Sequence, residues 1–470
     1  MTDSAPHVVA HPTRKQRIEA GREARRAVPL ADLAECAPRG DRDPVDLLEE
    51  QASTRIPQLV SVRYGRMTSS AFAFFRGAAL VMADDLSRTP NSGLHTQLCG
   101  DAHLSNFGVF ATPERKLAFD VNDFDETCPG PFEWDVKRLV ASLAVAARDN
   151  GFGDKQCARI TRACAAEYRE TMLGQAERGN LAVWYSHIEP TTELVELRDE
   201  LDTTMKKRTR KLIEKSRTRD SVQALGKLTE VVDGERRIIS APPLIVPIEE
   251  VFADLDIDRV YEELRDRIRS YRATLQWDRR VLLEQFQFVQ AARKVVGVGS
   301  VGTRAWIVLM RGTDDDDPLF LQAKEAQPSV LSRYVDGPTF TNEGERVVNG
   351  QRLMQAASDI FLGWQKGAGA DGVVRDFYIR QLRDGKGSAV IEAMTPTGMT
   401  LYGRLCGRVL GYAHARAGDR ISIAAYLGSG TEFDDAMAKF ADAYARKSEQ
   451  DFRALLAAVE QGRVEARQGI

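Results

Sequence analysis

The sequence has no cysteine pair at CxxC spacing, no apolar run of about 18 residues and only six histidines. The first absence argues against a zinc knuckle or a thioredoxin-like site. The second argues against a membrane span, and the opening stretch "MTDSAPHVVAHPTRKQRIEAGREARR" has no apolar core of signal-peptide length, so a cytoplasmic location is expected. The scarcity of histidine argues against a centre built from several imidazoles. A strong excess of either charge is missing too: the net charge is −3, which gives no global drive toward nucleic acid or an anionic membrane. No internal repeat or low-complexity tract stands out.

What is present is a soluble-type composition, 43% hydrophobic and 28% charged, in a chain long enough for two or three packed units. Residues 1–60 read as a polar, mostly helical extension broken at Pro29, Pro38 and Pro44. After Thr68–Ser70, which offer N-caps, a helix should carry Phe72, Phe75, Ala79 and Met82 on one face. "PFEWDVKRLVASLAVAARDNGF" predicts an amphipathic helix ending near Gly151, with Cys157 and Cys164 on one buried face of the next helical stretch. "LTEVVDGERRIIS" predicts a hairpin across Asp233 and Gly234. A long helix over about 255–290 should lead into three strands within 290–326, then a helix over 341–363, two strands in "DFYIRQL" and "SAVIEAM", and helices from 400 onward.

Two acid-rich stretches carry the chemistry. "GDAHLSNFG" gathers Asp101, His103 and Asn106, and "FDVNDFDE" follows with Asp120, Asp123 and Asp125. The DxHxxN pattern arises by chance in only about 0.007 chains of this composition. Phosphoryl transfer needs such a set: an acid at the acceptor hydroxyl, an amide five residues on that can reach Mg²⁺, and a second acid bridging that metal. Downstream, "GVGSVG" supplies Gly297, Gly299, Ser300 and Gly302. Apolar, β-branched "TRAWIVLM" follows, so the glycines should lie between two strands, where a hairpin backbone can cover phosphates. Lys324 in "LFLQAKEA" is then expected on the next strand, with Glu345 on the following helix to hold it and Glu343 as second choice. A two-metal phosphoesterase competes for the "DAH" start, but only His187 and His414 remain downstream of His103, and that reading leaves Lys324 idle. The basic run "KKRTRKLIEKSRTR" (206–219) lacks interleaved aromatics and reads as a solvated helix face rather than an RNA contact. The acids Asp314 to Asp317 read as a solvated turn.

The segments "RYGRM", "FAFFRGAA", "CGDAHLSNFG", "NDFDETCPGPFEWDVKRL", "KVVGVGSVGTRAW", "LQAKEA", "GERVVNGQRLMQ" and "HARAGD" together resemble a bacterial family catalogued as domain of unknown function 2252, from about residue 15 to 460. More distantly, "GDAHLSN" is similar to the "GDLHPGN" loop of aminoglycoside phosphotransferases and choline kinases, and "NDFD" to their "IDFDD" metal strand. That resemblance implies Asp101 as catalytic base and Asn106 and Asp123 as Mg²⁺ ligands. Asp125 would help with metal or acceptor, and Asp135 would brace the catalytic loop. Cys99 stands where those relatives usually carry a histidine. In them, too, the glycine loop and lysine precede the catalytic loop; here they follow it, which implies a circular permutation.

The expected fold is therefore α+β, a protein kinase-like pair of lobes in permuted order. Residues 61–225 and 400–470 would build the helical lobe, 226–289 a hairpin and linker helix, and 290–399 the nucleotide-binding β-rich lobe. The expected activity is ATP- and Mg²⁺-dependent phosphoryl transfer to an unknown hydroxyl or amine acceptor, small molecule or protein. A regulatory nucleotide-binding module and an AMP transferase are the alternatives on the same fold.

Overall fold

The computed structural model describes residues 11–36, 42–190, 192, 203–217, 221–295, 297–337, 340–369, 371–382 and 385–469. Residues 1–10 and Pro38 of the N-terminal stretch and residues 218–219 of the basic run lie outside them. The chain is mixed helix and sheet. Helices dominate the first 190 and last 75 or so residues, and an antiparallel sheet occupies the middle.

The two ends share one core. Helix Glu133–Asp149 runs through it with both its apolar and its charged side chains buried: Glu133, Asp135, Lys137 and Arg138 all lie out of solvent. It stops where Gly151 takes φ +76°, with the Phe152 N–H bonded to the Ala147 carbonyl and the Gly151 N–H to that of Arg148. That is a Schellman arrangement. Phe132 stacks on Tyr168, which also meets Phe433. Helix Pro396–Ala417 lies along helix Asp154–Ala176, the helix that buries Cys157 and Cys164. Gly403, Gly407 and Gly411 form the contact stripe, spaced one per turn; a Cβ on Gly407 would come within 2.4 Å of the Cys164 carbonyl oxygen.

The N-terminal stretch corrects its reading as a polar extension. Leu33 and Leu48 are fully buried. Arg42 grips Asp85 through two 2.8 Å bonds and reaches Asp451 at 2.7 Å on the long helix Glu432–Glu460. The polar reading holds for helix Arg14–Ala27, where Lys15, Glu19, Arg22 and Arg26 are exposed, and fails from Leu30 onward. The segment after Ser70 forms two helices, Ala71–Gly77 and Ala79–Leu86, with Ser70 capping Ala73.

Twelve strands are described. Short pairs β1 (His95–Leu98) with β4 (Cys128–Pro131), and β2 (Phe107–Ala111) with β3 (Leu117–Val121), carry the acid-rich loops between them. The hairpin β5 (Thr229–Val232) and β6 (Glu235–Ile238) turns at Asp233 and Gly234, both at positive φ. The main sheet has the order β11-β12-β10-β9-β8-β7, antiparallel throughout. Its strands are β7 (Ile245–Pro247), β8 (Gln287–Lys294), β9 (Ala305–Arg311), β10 (Pro318–Ala326), β11 (Gly363–Ala368) and β12 (Val374–Gln381).

Three readings need correction here. The helix over 255–290 is two, Ile257–Arg272 and Trp277–Leu283, before β8 begins. The helix over 341–363 ends at Met354, which frees Gly363–Ala368 to pair with β12. "SAVIEAM" is no strand: it contains a 3-10 turn at Ile391–Ala393, after Gly387 pairs with Val109. Loss of that strand and gain of β11 keep the region at five, and β7, outside it at Ile245–Pro247, brings the sheet to six.

Alternation along β10 sets the two faces of the sheet. Leu319 and Leu321 pack with Tyr271, Leu283 and Ile379, whereas Phe320 packs with Ile307, Leu309 and Ile238. Lys324 shares the second face. The glycine stripe predicts opposite signs for two substitutions in this helix pair. Gly407→Ala should destabilise by about 1–3 kcal/mol, because its methyl group would collide with helix backbone. Gly174→Ala, with open space around it, should be neutral or stabilise by up to about 1 kcal/mol. Chemical denaturation of both checks this, and equal effects would contradict the packing.

Candidate functional site

The glycine turn joins β8 to β9, with Gly297 and Gly302 at φ +65° and +91°. It folds back onto the N-terminal helices. The Arg66 guanidinium donates to the Gly297 carbonyl at 2.5 Å and Arg55 to that of Val301, while the Ile56 N–H reaches the Gly302 carbonyl. A Cβ on Gly299 would stand 3.1 Å from the Arg76 carbonyl oxygen. At the tip, Ser300 Oγ lies 3.5 Å from Asp125 Oδ2.

Lys324, only 3% exposed, projects from β10 into the acid-rich loop that follows β3. Its ammonium donates to Asp125 Oδ2 at 2.5 Å and stands 3.7 Å from Asp123 Oδ1. Lys324 and Asp125 are 199 residues apart in sequence. Opposite Lys324 on β12, Tyr378 donates its hydroxyl to Asp125 Oδ1 at 2.5 Å and offers its ring 5.3 Å from the ammonium. Burial alone would raise the Asp125 carboxyl, but Lys324 and Tyr378 outweigh it and the pKa falls below the ordinary value. Burial likewise opposes the charge on Lys324, and the two aspartates overcome it, raising its pKa.

Glu345 does not hold this lysine. Among the described residues, the carboxylates within ion-pair reach of Lys324 are Asp123 and Asp125. Glu345 has its backbone N–H capped by Asn342, and Glu343 pairs with Arg346. The residue of that helix that meets the site is Arg346, which donates to the carbonyls of Thr127, Asp125 and Gln327. It clamps the metal-type loop to the end of β10.

The catalytic-type loop is held from below. Asp135 accepts the backbone N–H groups of Cys99 and Gly100 at 2.8 and 3.0 Å. His414 from the C-terminal helix stands 3.2 Å from the same carboxylate and 2.9 Å from the Tyr168 hydroxyl. One turn on from Asp135, Arg138 donates to Asp101 Oδ1 at 2.8 Å and to the Phe75 carbonyl. Asp101 feels burial first, which raises its pKa, and Arg138 second, which opposes that. His103 is buried, with Nε2 3.7 Å from Asp101 Oδ2 and Nδ1 without a hydrogen bond. Burial, and after it the charges of Arg76 and Arg138, hold its pKa well below the usual value. Asn106 donates its amide N–H to the Asp101 carbonyl at 2.7 Å, which leaves its Oδ1 as an acceptor. Asp120 lies apart, buried, where it accepts the Ala356 N–H.

Among the described residues no three His, Cys, Asp or Glu side chains cluster as metal ligands. Mg²⁺ asks for fewer: one or two carboxylates, completed by phosphate oxygens and water. Asp123, about 29% exposed, and Asn106 supply hard oxygen donors of that kind, whereas both Asp125 oxygens are already engaged. Arg380 donates to the Asn122 carbonyl at 3.1 Å, and burial among Arg380 and Lys324 pulls the Lys386 ammonium down to about 7.

Arg138, Arg346, Tyr378, Arg380, Lys386 and His414 were not singled out from sequence. Arg138 had a signal, its i,i+3 spacing from Asp135 on a helix whose remaining face is apolar. Tyr378 had none before the strand register was known.

Glu126, beside Asp125, gives a prediction. Burial pushes its carboxyl from 4.5 up to about 7, against an opposing 2.7 Å bond from the Val330 N–H. Between those values the folded chain keeps a proton that the unfolded chain releases, so this group costs stability as pH rises. The native protein should lose stability relative to Glu126→Gln from about pH 5 to pH 8, as read by denaturant midpoints. Parallel profiles would contradict the shift.

At a stringent level of similarity, no curated protein and no solved structure matches this chain. A family model described as an uncharacterized protein conserved in bacteria (DUF2252) matches residues 55–458. The chain belongs to that family.

Proposed function

We propose that the chain is an ATP- and Mg²⁺-dependent phosphotransferase with a protein kinase-like fold in permuted order, acting on a hydroxyl or amine acceptor. One observation carries the reading: Lys324 meets Asp123 and Asp125 beneath a glycine turn, although strand and loop are far apart in sequence. Lys324 would bind the α- and β-phosphates, and the backbone from Gly297 to Gly302, with Ser300, would cover them. Asp123 and Asn106 would hold Mg²⁺, which supplies charge neutralisation between phosphates. Asp101, its pKa raised by burial, would accept the acceptor's proton. Asp135 and His414 keep the loop of Asp101 in register.

The contact of Arg138 with Asp101 favours a second reading, a nucleotide-binding module without turnover, because it ties one oxygen of the would-be base to a guanidinium. ATP labelled separately at the α and γ phosphorus separates the two. Transfer of γ label to an acceptor, lowered about 10²–10⁴-fold by Asp101→Asn with nucleotide binding retained, is the expected result. Transfer of α label indicates an AMP transferase, and tight binding with neither label indicates the regulatory module.

A further inference from the structure

The face of the main sheet opposite Lys324 borders a cavity of about 750 Å³, between β8–β12 and helix Ile257–Arg272. The helix turns an apolar stripe toward the sheet, and Val260, Leu264 and Ile268 all line the space yet remain only half-buried. Phe288, Trp306 and Leu321 form the opposite wall. A partly open groove of this size falls in the range of about 300–1,000 Å³ usual for small-molecule sites.

The charges at this cavity are unevenly matched. Arg304 pairs with Glu325 at 3.2 Å, and Arg375 with Asp371 at 2.6 Å. Arg293, on β8, lines the same space, and its Nε is buried with no hydrogen-bond partner. No carboxylate among the described residues lies within ion-pair distance of it, and no charged neighbour offsets its burial. Arg293 is half-buried, its stem along the apolar wall and its guanidinium reaching the mouth of the cavity without a carboxylate partner, a placement that suits an anionic head group.

We propose that this cavity binds a single-chain amphiphilic anion, an alkyl or acyl chain lying between helix and sheet with its carboxylate or phosphate on Arg293. The site stands on the far side of the sheet from Lys324 and does not depend on the phosphotransferase reading. Its wall includes Ile56 and Pro57, next to Arg55, which holds the glycine turn.

Calorimetric titration of the full chain with dodecanoate, dodecyl phosphate and uncharged dodecanol, each below its micellar concentration, tests this. The expected result is saturable binding of at least one anion, about tenfold or more tighter than dodecanol. Comparison of the two anions identifies the head group. Arg293→Met should erase the preference for charge while leaving dodecanol binding unchanged. Ala323→Phe, which fills the cavity from β10 without altering charge, should abolish binding of all three, and thermal melts confirm that both variants fold. The proposal is overturned if neither anion saturates, if dodecanol binds as tightly as the anions, if Arg293→Met keeps the preference, or if Ala323→Phe still binds.

Discussion

The ion pair between Lys324 and Asp125 is the contact on which the candidate site depends. It joins strand β10 of the sheet to the loop after β3, with Lys324 buried and Asp125 only partly exposed. Removing two charges from water is expensive, and the attraction between them offsets this only when remaining donors and acceptors are also satisfied. Tyr378 on Asp125, and the second carboxylate of Asp123 near the ammonium, meet that condition. Loss of either partner would leave an uncompensated charge, so the pair fixes how sheet and helical core face each other. It also sets a constraint on function. Phosphates that engage Lys324 must compete with a carboxylate already in place.

A second layer of buried charge holds the loops themselves. Helix Glu133–Asp149 sends Glu133 to the Ser92 backbone and hydroxyl, Asp135 to the loop before Asp101, and Arg138 to Asp101 itself. Arg346 does the same from the opposite side, through carbonyls rather than carboxylates. Loops with unsatisfied backbone groups could not be buried this deeply. Positioning in this cleft thus comes from polar groups spent on backbone, and with both Asp125 oxygens held by Lys324 and Tyr378, Asp123 is the acid left to a ligand.

Much of the site was legible because its parts are local. DxHxxN and NDFD each fit within a single loop, and glycines flanked by apolar runs identify a hairpin before any tertiary contact is known. What failed depends on geometry between elements. Glu345 and Arg346 differ by about 100° around one helix, and composition does not say which faces the lysine. β11, "GWQKGA", has weak strand propensity and exists because β12 offers it an edge. "SAVIEAM" has strong propensity, yet the preceding backbone at Gly387 is taken by Val109 and the chain turns away. Burial of Arg42 leaves no local trace, because one of its acidic partners, Asp451, lies hundreds of residues downstream.

The central claim is that Lys324 and Asp123 form one Mg²⁺-dependent nucleotide site. Calorimetric binding of a non-hydrolysable ATP analogue to the full chain, with and without Mg²⁺, tests it most directly. The account predicts one site whose affinity rises with Mg²⁺ and is lost in Asp123→Ala. Absence of binding, or binding indifferent to both Mg²⁺ and Asp123, would contradict it.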